Sequence, residues 1–335
     1  MFRYIFFLNF SFLIIFSPLE ARRHAESAVT YSLSGGRLGD NLLAVAHAKW
    51  LSYTLGLPLI YVPFCYSDHL NLSADSAIKH LGSCRFSKEY YLYTKENFLH
   101  LWRRLYNQSN DTMLYVLPYH PETQQEFDHP NSFPLFTQVN WDDPVFLREL
   151  RSIISPRFSL RCQDLPSDRV TVAMHIRTDV GRDSSTWEEF TMRWPMKGPP
   201  FSYYVEALQL LNNVMHKPLY VYIFTDHPDP VELEKMFINR FSHLDIVFNS
   251  RKSGNRHDEN VLEDFFAMGK FNCLIRSESN YSLMASKLFC YQIAIAPVHF
   301  ERDSTNQVNI DTLSIQMSHS DDLPPIKTTI HRYNE

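Results

Sequence analysis

The sequence lacks several patterns that mark common classes of protein. It has five cysteines but no C-x-x-C pair, which argues against a zinc site. Its formal net charge is −5, so it lacks the basic excess of a general nucleic-acid-binding protein. No Gly-Lys-Ser/Thr follows its glycine loop, and no Asp-x-Asp metal motif is present. We therefore expect no metal and no nucleic acid among its ligands.

What remains is an ordinary globular composition, with 44% hydrophobic and 21% charged residues. The length of 335 residues exceeds what one core usually serves, and about 150 residues per domain predicts two. We place the domains at residues 28–165 and 166–335. Cys273 and Cys290 lie in apolar segments and are predicted core residues, whereas Cys65 and Cys84 can pair in an oxidising compartment.

Residues 1–21 form a predicted signal peptide or uncleaved signal anchor. Tyr4 to Phe16 is almost wholly apolar and is shorter than the ~20 residues of a spanning helix. Residues 4–17 would make the contact with the membrane. The segment therefore predicts a membrane-associated or secretory location. If the segment stays as an anchor, Arg22 and Arg23 after it disfavour a lumenal domain by the positive-inside rule. The side of the membrane stays open.

Strand and helix patterns alternate along most of the chain. A strand over Ala28–Leu33, a glycine loop and a helix over Leu42–Leu55 open the first half. Further helices are predicted over Lys95–Tyr106 and Pro144–Ile154, and the second half alternates strands with helices of about 10–15 residues. The tail after Arg302 is polar and predicted to be loosely ordered. The pattern predicts an α/β protein of two Rossmann-like domains that face a cleft.

The apolar run Val170–Met174 leads into His175, Arg177 and Asp179, spaced two apart. Residues so spaced on a strand line one face, and ligands bind at the carboxyl ends of strands in open α/β sheets. The planar fork of an arginine suits phosphate. A salt-bridged strand end, with Arg177 held by Asp179, is the equally weighted structural alternative.

Three other segments carry candidate ligand groups. Gly35–Gly39 with Asp40 and Asn41 is a glycine loop before a helix, typical of an anion site or simply of a tight turn. Asp226 and His227 follow a strong strand, where Asp226 can accept from a guanine or cap the next helix. At the junction between the predicted strand Asn272–Ile275 and the helix after it lie hydroxyls suited to phosphate oxygens or to N-capping: Ser277, Ser279 and Ser282.

The order of these motifs resembles the GDP-fucose-dependent fucosyltransferase superfamily, which includes α1,2-, α1,6- and protein O-fucosyltransferases. The motif Gly35–Asn41 is similar to the Gly-Gly-Leu-Gly-Asn-Gln opening of the α1,2 group, and His175–Asp179 to His-x-Arg-Arg-x-Asp. Phe224–Pro228 resembles Thr/Ser-Asp-Asp-Pro, and Asp264–Leu288 resembles an acidic helix that leads into a serine-rich turn. Thr178 replaces a second arginine and His227 a second aspartate, which leaves acceptor and linkage open.

The resemblance implies a GT-B architecture and inverting transfer of fucose from GDP-fucose to a glycan hydroxyl, α1,2 or α1,6 in type. The partners implied are this donor and a glycan or glycoconjugate acceptor, with no separate cofactor and no metal, because Arg177 would stabilise the leaving phosphate. Arg177 and Asp179 are the implied catalytic residues, with Asp183, Glu188 and Glu189 as further candidates for the base. The implied donor-binding residues are Gly36, Gly39, Asp40, Asn41, His175, Arg177, Asp226, His227, Asp264, Ser277, Ser279 and Ser282.

Two alternatives stay open. One is a GT-B transferase that uses another nucleotide sugar. The other is a non-catalytic carbohydrate- or nucleotide-binding protein on a decayed transferase scaffold, which the substitutions at Thr178 and His227 favour.

Overall fold

The computed structural model describes residues 27–74, 79–80, 86, 88–92, 97, 101, 112–118, 139–160, 164–182, 184–316 and 327–331. The leader, residues 1–21, and most of the predicted helix Lys95–Tyr106 lie outside these residues. Among the helices described, none has the length and apolar character needed to cross a bilayer. The membrane and secretory assignments stay predictions.

The first half carries small parallel sheets beside a long helix. Strands β1, β5 and β4 form one parallel sheet in the order β1-β5-β4, and β2 pairs with β3. Gly56 ends α1 in a left-handed conformation, with φ at 64°. The elements are β1 (Ala28–Tyr31), α1 (Leu38–Leu55), β2 (Ile60–Tyr61), β3 (Lys79–His80), β4 (Lys88–Tyr91), β5 (Met113–Leu117) and α2 (Pro144–Ile153).

The second half is built on a seven-stranded sheet in the order β12-β11-β10-β9-β6-β7-β8. Strands β8, β7, β6, β9 and β10 run parallel, whereas β11 and β12 are antiparallel additions. The elements are β6 (Val170–Ile176), α3 (Trp187–Arg193), α4 (Phe201–Met215), β7 (Leu219–Thr225), α5 (Pro230–Arg240), β8 (Ile246–Ser250), α6 (Val261–Met268), β9 (Cys273–Ile275), α7 (Asn280–Leu288), β10 (Ile293–Arg302), β11 (Val308–Gln316) and β12 (Lys327–His331).

Strand β7 shows how the seven-stranded sheet separates two cores. Its residues alternate between faces, so Leu219, Val221 and Ile223 enter the core that α4 and α5 cover. Tyr222 and Phe224 enter the other core, which also contains α1, α6 and α7. Because α1 belongs to the first half, this second core joins the two halves of the chain.

Two sequence predictions are wrong. The tail after Arg302 is not loosely ordered where the structure describes it, since Val308–Gln316 pairs along β10 and Val308 and Ile310 are buried. Cys273 is buried as predicted, but Cys290 is exposed, because it follows the end of α7 and lies outside the helix's buried face. Cys65 is an exposed free thiol, and its proposed partner Cys84 lies outside the described residues.

Candidate active site

A cavity of about 300 Å³ opens where the start of α1 meets the carboxyl ends of β6, β7 and β9. Its walls come from both halves of the chain, which matches the predicted cleft. The lining residues are Arg37, Leu38, Gly39, Asp40, His175, Arg177, Lys197, Phe224, Thr225, Asp226, Asn255, Arg256, His257, Glu259, Val261, Asp264, Glu278, Ser279, Asn280 and Tyr281.

His175 lies near the end of β6 and is a buried, neutral group. Its Nδ1 lies 3.3 Å from the Ser277 hydroxyl oxygen in a hydrogen bond, and its ring lies 5.6 Å from that of Tyr281. Burial, helped by the charges of Arg177 and Arg37, lowers the pKa of His175 to about 3. At neutral pH His175 therefore offers one ring N–H and one lone pair, and no charge.

Arg177 follows β6 directly and points its guanidinium into the cavity wall. The guanidinium lies 5.4 Å from the ring centre of Phe190, and its Nη2 lies 3.4 Å from Asp179 Oδ2. The Arg177 Nε atom is buried with no hydrogen-bond partner among the described residues. Gly198 makes room for this stack, since a Cβ there would lie 2.2 Å from the Phe190 ring. Much of the hydrogen-bonding capacity of Arg177 is thus unused.

His175, Arg177 and Asp179 do not project together from one strand face, contrary to the sequence prediction. Strand β6 ends at Ile176, and Asp179 has a left-handed backbone with φ at 52°. Asp179 is 3% exposed and does not line the cavity, so its carboxylate contacts Arg177 from behind. The strand ends three residues before Asp179, because the chain turns there into a loop.

Asp226 holds that loop. Its Oδ1 accepts hydrogen bonds from the Thr178 N–H at 2.8 Å and the Asp179 N–H at 3.3 Å. Asp226 also lines the cavity. His227 does not line it, because its Nδ1 is hydrogen-bonded to the backbone of Asp229.

The start of α1 packs directly against the start of α7. A Cβ at Gly39 would lie 2.3 Å from the Tyr281 nitrogen, so only glycine allows this approach. Asp40 Oδ1 accepts from Asn280 Nδ2 at 2.7 Å, and Asp40 Oδ2 accepts from the Arg37 N–H at 3.0 Å. The helix therefore begins at Leu38, ahead of the predicted Leu42, and Asp40 lies inside its first turn rather than before it.

Gly36 and Asn41 shape this loop without reaching the cavity. A Cβ at Gly36 would lie 2.2 Å from Asp40 Oδ2, and Asn41 donates to the Gly36 carbonyl at 3.4 Å. Neither residue lines the cavity. Close contacts thus explain Gly36 and Gly39 in the motif.

Arg37 is a cavity residue that the sequence reasoning did not single out. Burial lowers the pKa of its guanidinium, and the nearby charge of Arg177 lowers it further. No ion pair to Arg37 occurs within the described part of the chain. Its position inside the glycine loop was the one available signal, but the loop alone does not indicate where the side chain lies.

The serine-rich junction divides between cavity and core. Ser279 precedes α7, lines the cavity and makes no side-chain capping bond. Ser277 instead contacts His175, and Ser282 donates to the Ser277 and Ser279 carbonyls inside the fold. The cavity thus receives the first turns of both α1 and α7, whose N–H groups lack helical partners.

Asp264 lines the cavity from α6 while Arg251 holds it from the other side. Arg251 Nη2 donates to Asp264 Oδ1 at 2.6 Å. Burial raises the pKa of Asp264, and the charge and hydrogen bond of Arg251 oppose that rise. One carboxylate oxygen is therefore already engaged.

The other candidates for a base lie elsewhere. Glu188 and Glu189 are exposed on α3, and Glu189 accepts from the Ser185 N–H at 2.7 Å. Asp183 lies outside the described residues.

Lys197 and Glu278, which line the cavity, were missed because each is a single charged residue in a loop. In the part of the chain that the structure describes, no group of three or more acidic, histidine or cysteine side chains could hold a metal ion.

Neither the family models nor the curated proteins include a match to this sequence. The structure of an Arabidopsis thaliana FUT1 mutant in complex with GDP matches with a TM-score of 0.52 at 10% identity, covering 87% of this chain and 75% of that one. POFUT1 in complex with GDP-fucose gives a TM-score of 0.44 at 9% identity over 79% of this chain and 94% of that one. The α1,6-fucosyltransferase NodZ gives 0.40 at 12% identity over 85% and 99%.

The likeness to FUT1 spans most of both chains and establishes the fold. The predicted α/β class, with two mostly parallel sheets on either side of a cleft, is confirmed. The chain therefore has the GT-B fold seen in FUT1, and its sequence motifs resemble those of the GDP-fucose fucosyltransferases.

Proposed function

We propose that this protein is a glycosyltransferase that transfers fucose from GDP-fucose to a glycan hydroxyl with inversion. The observation that carries the proposal is the convergence of Arg37 and Arg177, from the two halves of the chain, in one cavity. Two neighbouring guanidiniums repel each other, and the ion pair from Asp179 at 3.4 Å reaches Arg177 only. An anion with more than one negative charge would relieve this repulsion.

A diphosphate fits the surroundings of these two arginines. The first turns of α1 and α7 bring unpaired N–H groups to the same cavity, and helix N-termini favour phosphate. Ser279 adds a hydroxyl that no capping bond engages. Together, two guanidiniums, two helix N-termini and one hydroxyl supply enough hydrogen-bond donors for two phosphates.

The same groups explain how the reaction would proceed. As the bond between the fucose anomeric carbon and the β-phosphate breaks, negative charge grows on the diphosphate. Arg177, held in place by Phe190 and Asp179, would stabilise that charge without moving. His175 and Asp226, at the ends of β6 and β7, would contact the nucleoside.

Melting temperatures measured with GDP, UDP, CDP and GDP-fucose test the donor. A ligand at 100 times its Kd stabilises the folded state by about 2.7 kcal/mol, which raises the melting temperature. We expect GDP and GDP-fucose to raise it and UDP and CDP to leave it unchanged. Equal shifts with all four nucleotides would contradict the assignment of GDP-fucose.

The ion pair between Arg251 and Asp264 favours a second candidate, a transferase for another nucleotide sugar. Asp264 is one of the residues that the motif resemblance assigns to the donor, and its Oδ1 is already bonded to Arg251 at 2.6 Å. A carboxylate engaged in this way is a poorer acceptor for the paired N–H donors of guanine. Stronger inhibition of turnover by UDP than by GDP would favour this candidate, and calorimetric GDP binding without any donor turnover would favour a binding protein.

A further inference from the structure

Five carboxylates line the cavity, and four of them are held by hydrogen-bond donors. A carboxylate that already accepts such bonds is a weaker acceptor for a substrate proton. The bonded pairs are Asp40 with Arg37 N–H and Asn280, Asp226 with Thr178, Glu259 with Arg256 N–H, and Asp264 with Arg251. The fifth, Glu278, accepts no side-chain hydrogen bond from any described residue.

The surroundings of Glu278 keep its carboxylate available as a proton acceptor. The side chain is half-buried in the loop between β9 and α7. Burial raises the pKa of Glu278, while the cations Arg276 and Lys197 oppose that rise. The carboxylate is thus more basic than an exposed glutamate, which suits general base catalysis.

A backbone hydrogen bond ties Glu278 to the segment that packs against Arg177. Its N–H donates to the Met196 carbonyl at 2.9 Å. Two residues later, Gly198 packs against Arg177 so closely that a Cβ there would lie 3.2 Å from the Arg177 carbonyl oxygen. The segment 196–198 therefore links Glu278 to the arginine that would hold the leaving phosphate.

We propose that Glu278 is the general base that removes the proton from the acceptor hydroxyl, a proposal that rests on the function proposed above. The acceptor oxygen forms a bond to the anomeric carbon of fucose as its proton passes to a Glu278 carboxylate oxygen. The bond from the anomeric carbon to the β-phosphate oxygen breaks, and its electron pair leaves with GDP. Four other carboxylates considered from the sequence, Asp179, Asp183, Glu188 and Glu189, are not needed for this step.

The test compares Glu278→Gln with Glu206→Gln. Glu206 is a matched control, because it is also a half-buried carboxylate whose pKa burial raises, but it lies on α4 and does not line the cavity. The assay measures GDP release from GDP-fucose, with water and an array of galactose- and N-acetylglucosamine-terminated oligosaccharides as acceptors. Calorimetry gives the Kd for GDP, and melting temperature checks folding.

We expect Glu278→Gln to lower kcat by about 100-fold or more, the usual contribution of a general base, with the Kd for GDP within about twofold of wild type. The wild-type rate should fall on acidification as Glu278 is protonated, and this acidic limb should disappear in Glu278→Gln and persist in Glu206→Gln. Partial recovery of kcat in Glu278→Asp would support the same role.

Three results would overturn this inference while leaving the proposed function intact. The first is turnover within threefold of wild type in Glu278→Gln, and the second is an unchanged acidic limb in that variant. A tenfold weaker affinity for GDP in Glu278→Gln would also overturn it, because the residue would then act in donor binding. Absence of turnover in the wild type with every acceptor, water included, would instead overturn the proposed function and this inference with it.

Discussion

Replacing Gly39 by alanine sets helix propensity against a steric clash, and the structure decides which effect wins. Alanine is favoured over glycine in a helix by about 1 kcal/mol. The new Cβ, however, would lie 2.3 Å from the Tyr281 nitrogen and 2.6 Å from the Asn280 carbonyl carbon, roughly 1 Å inside ordinary contact distance. Both atoms belong to the backbone, so no side chain can rotate away.

Overpacking of this kind costs about 1–3 kcal/mol or more, and a rigid backbone contact places Gly39→Ala at the upper end. Subtracting about 1 kcal/mol for helix propensity leaves a net loss of about 2 kcal/mol. That loss corresponds to a melting temperature lower by roughly 4 °C or more. Because Gly39, Asn280 and Tyr281 all line the cavity, we also expect weaker binding of GDP.

Urea unfolding, followed by tryptophan fluorescence, measures the loss in free energy. Gly56→Ala is the control, since Gly56 ends the same helix with φ at 64° and has no atom within 4 Å of an added Cβ. Its cost of about 1 kcal/mol is purely conformational, and its affinity for GDP should stay that of wild type. A Gly39→Ala protein as stable as wild type would show that the contact between α1 and α7 is not as close as described.

Three further substitutions address the charged groups of the cavity. Arg177→Ala should lower turnover of GDP-fucose by about 100-fold or more with little change in melting temperature, and turnover equal to wild type would contradict its role. Arg37→Met removes a buried charge that Arg177 repels, so the free protein should melt at a higher temperature. The Kd for GDP should rise about tenfold or more, because a phosphate contact is lost. A lower melting temperature with unchanged affinity would refute the argument. His175 has a pKa of about 3 when folded and 6.5 when unfolded, so its contribution is complete above pH 6.5 and is lost on acidification. Between pH 7 and pH 5 wild type should lose about 2 kcal/mol that His175→Gln does not, whereas His299→Gln, at an exposed site, should lose as much as wild type.

Much of the second half could be predicted from the sequence because its elements are long and strongly patterned. The apolar periodicity predicts a helix over Phe201–Met215, which are the bounds of α4. It also predicts a strand over Leu219–Phe224, and β7 runs one residue further, to Thr225. The antiparallel strands β11 and β12 were missed, although Val308 and Ile310 alternate with polar residues as in a half-buried strand. That run was short and followed a polar stretch, so composition alone indicated a loose tail.

The candidate site could be predicted only in part, for a different reason. His175 and Arg177 were located by the strand that they terminate, and both line the cavity. The position of Arg37, by contrast, depends on how α1 packs against α7, a contact between residues some 240 positions apart. No local pattern reports such a contact. The same holds for Glu278, because the sequence does not indicate that its carboxylate accepts no hydrogen bond from the residues that the structure describes.

The carboxylates of Asp179 and Asp226 show how acidic residues can fix the position of a neighbouring arginine. A left-handed backbone at a non-glycine residue costs about 1–3 kcal/mol and persists only where the surroundings impose it. At Asp179 they do, because Asp226 Oδ1 accepts from two successive backbone N–H groups and Asp179 itself is 3% exposed. The turn so fixed places Asp179 behind Arg177, where a contact of 3.4 Å orients the guanidinium without neutralising it fully. A shorter, bidentate pair would have satisfied Arg177 and left less of its charge for a phosphate. Under the proposed function, the spacing of His175, Arg177 and Asp179 would therefore reflect one group that contacts the nucleoside, one that stabilises the phosphate charge and one that orients this arginine.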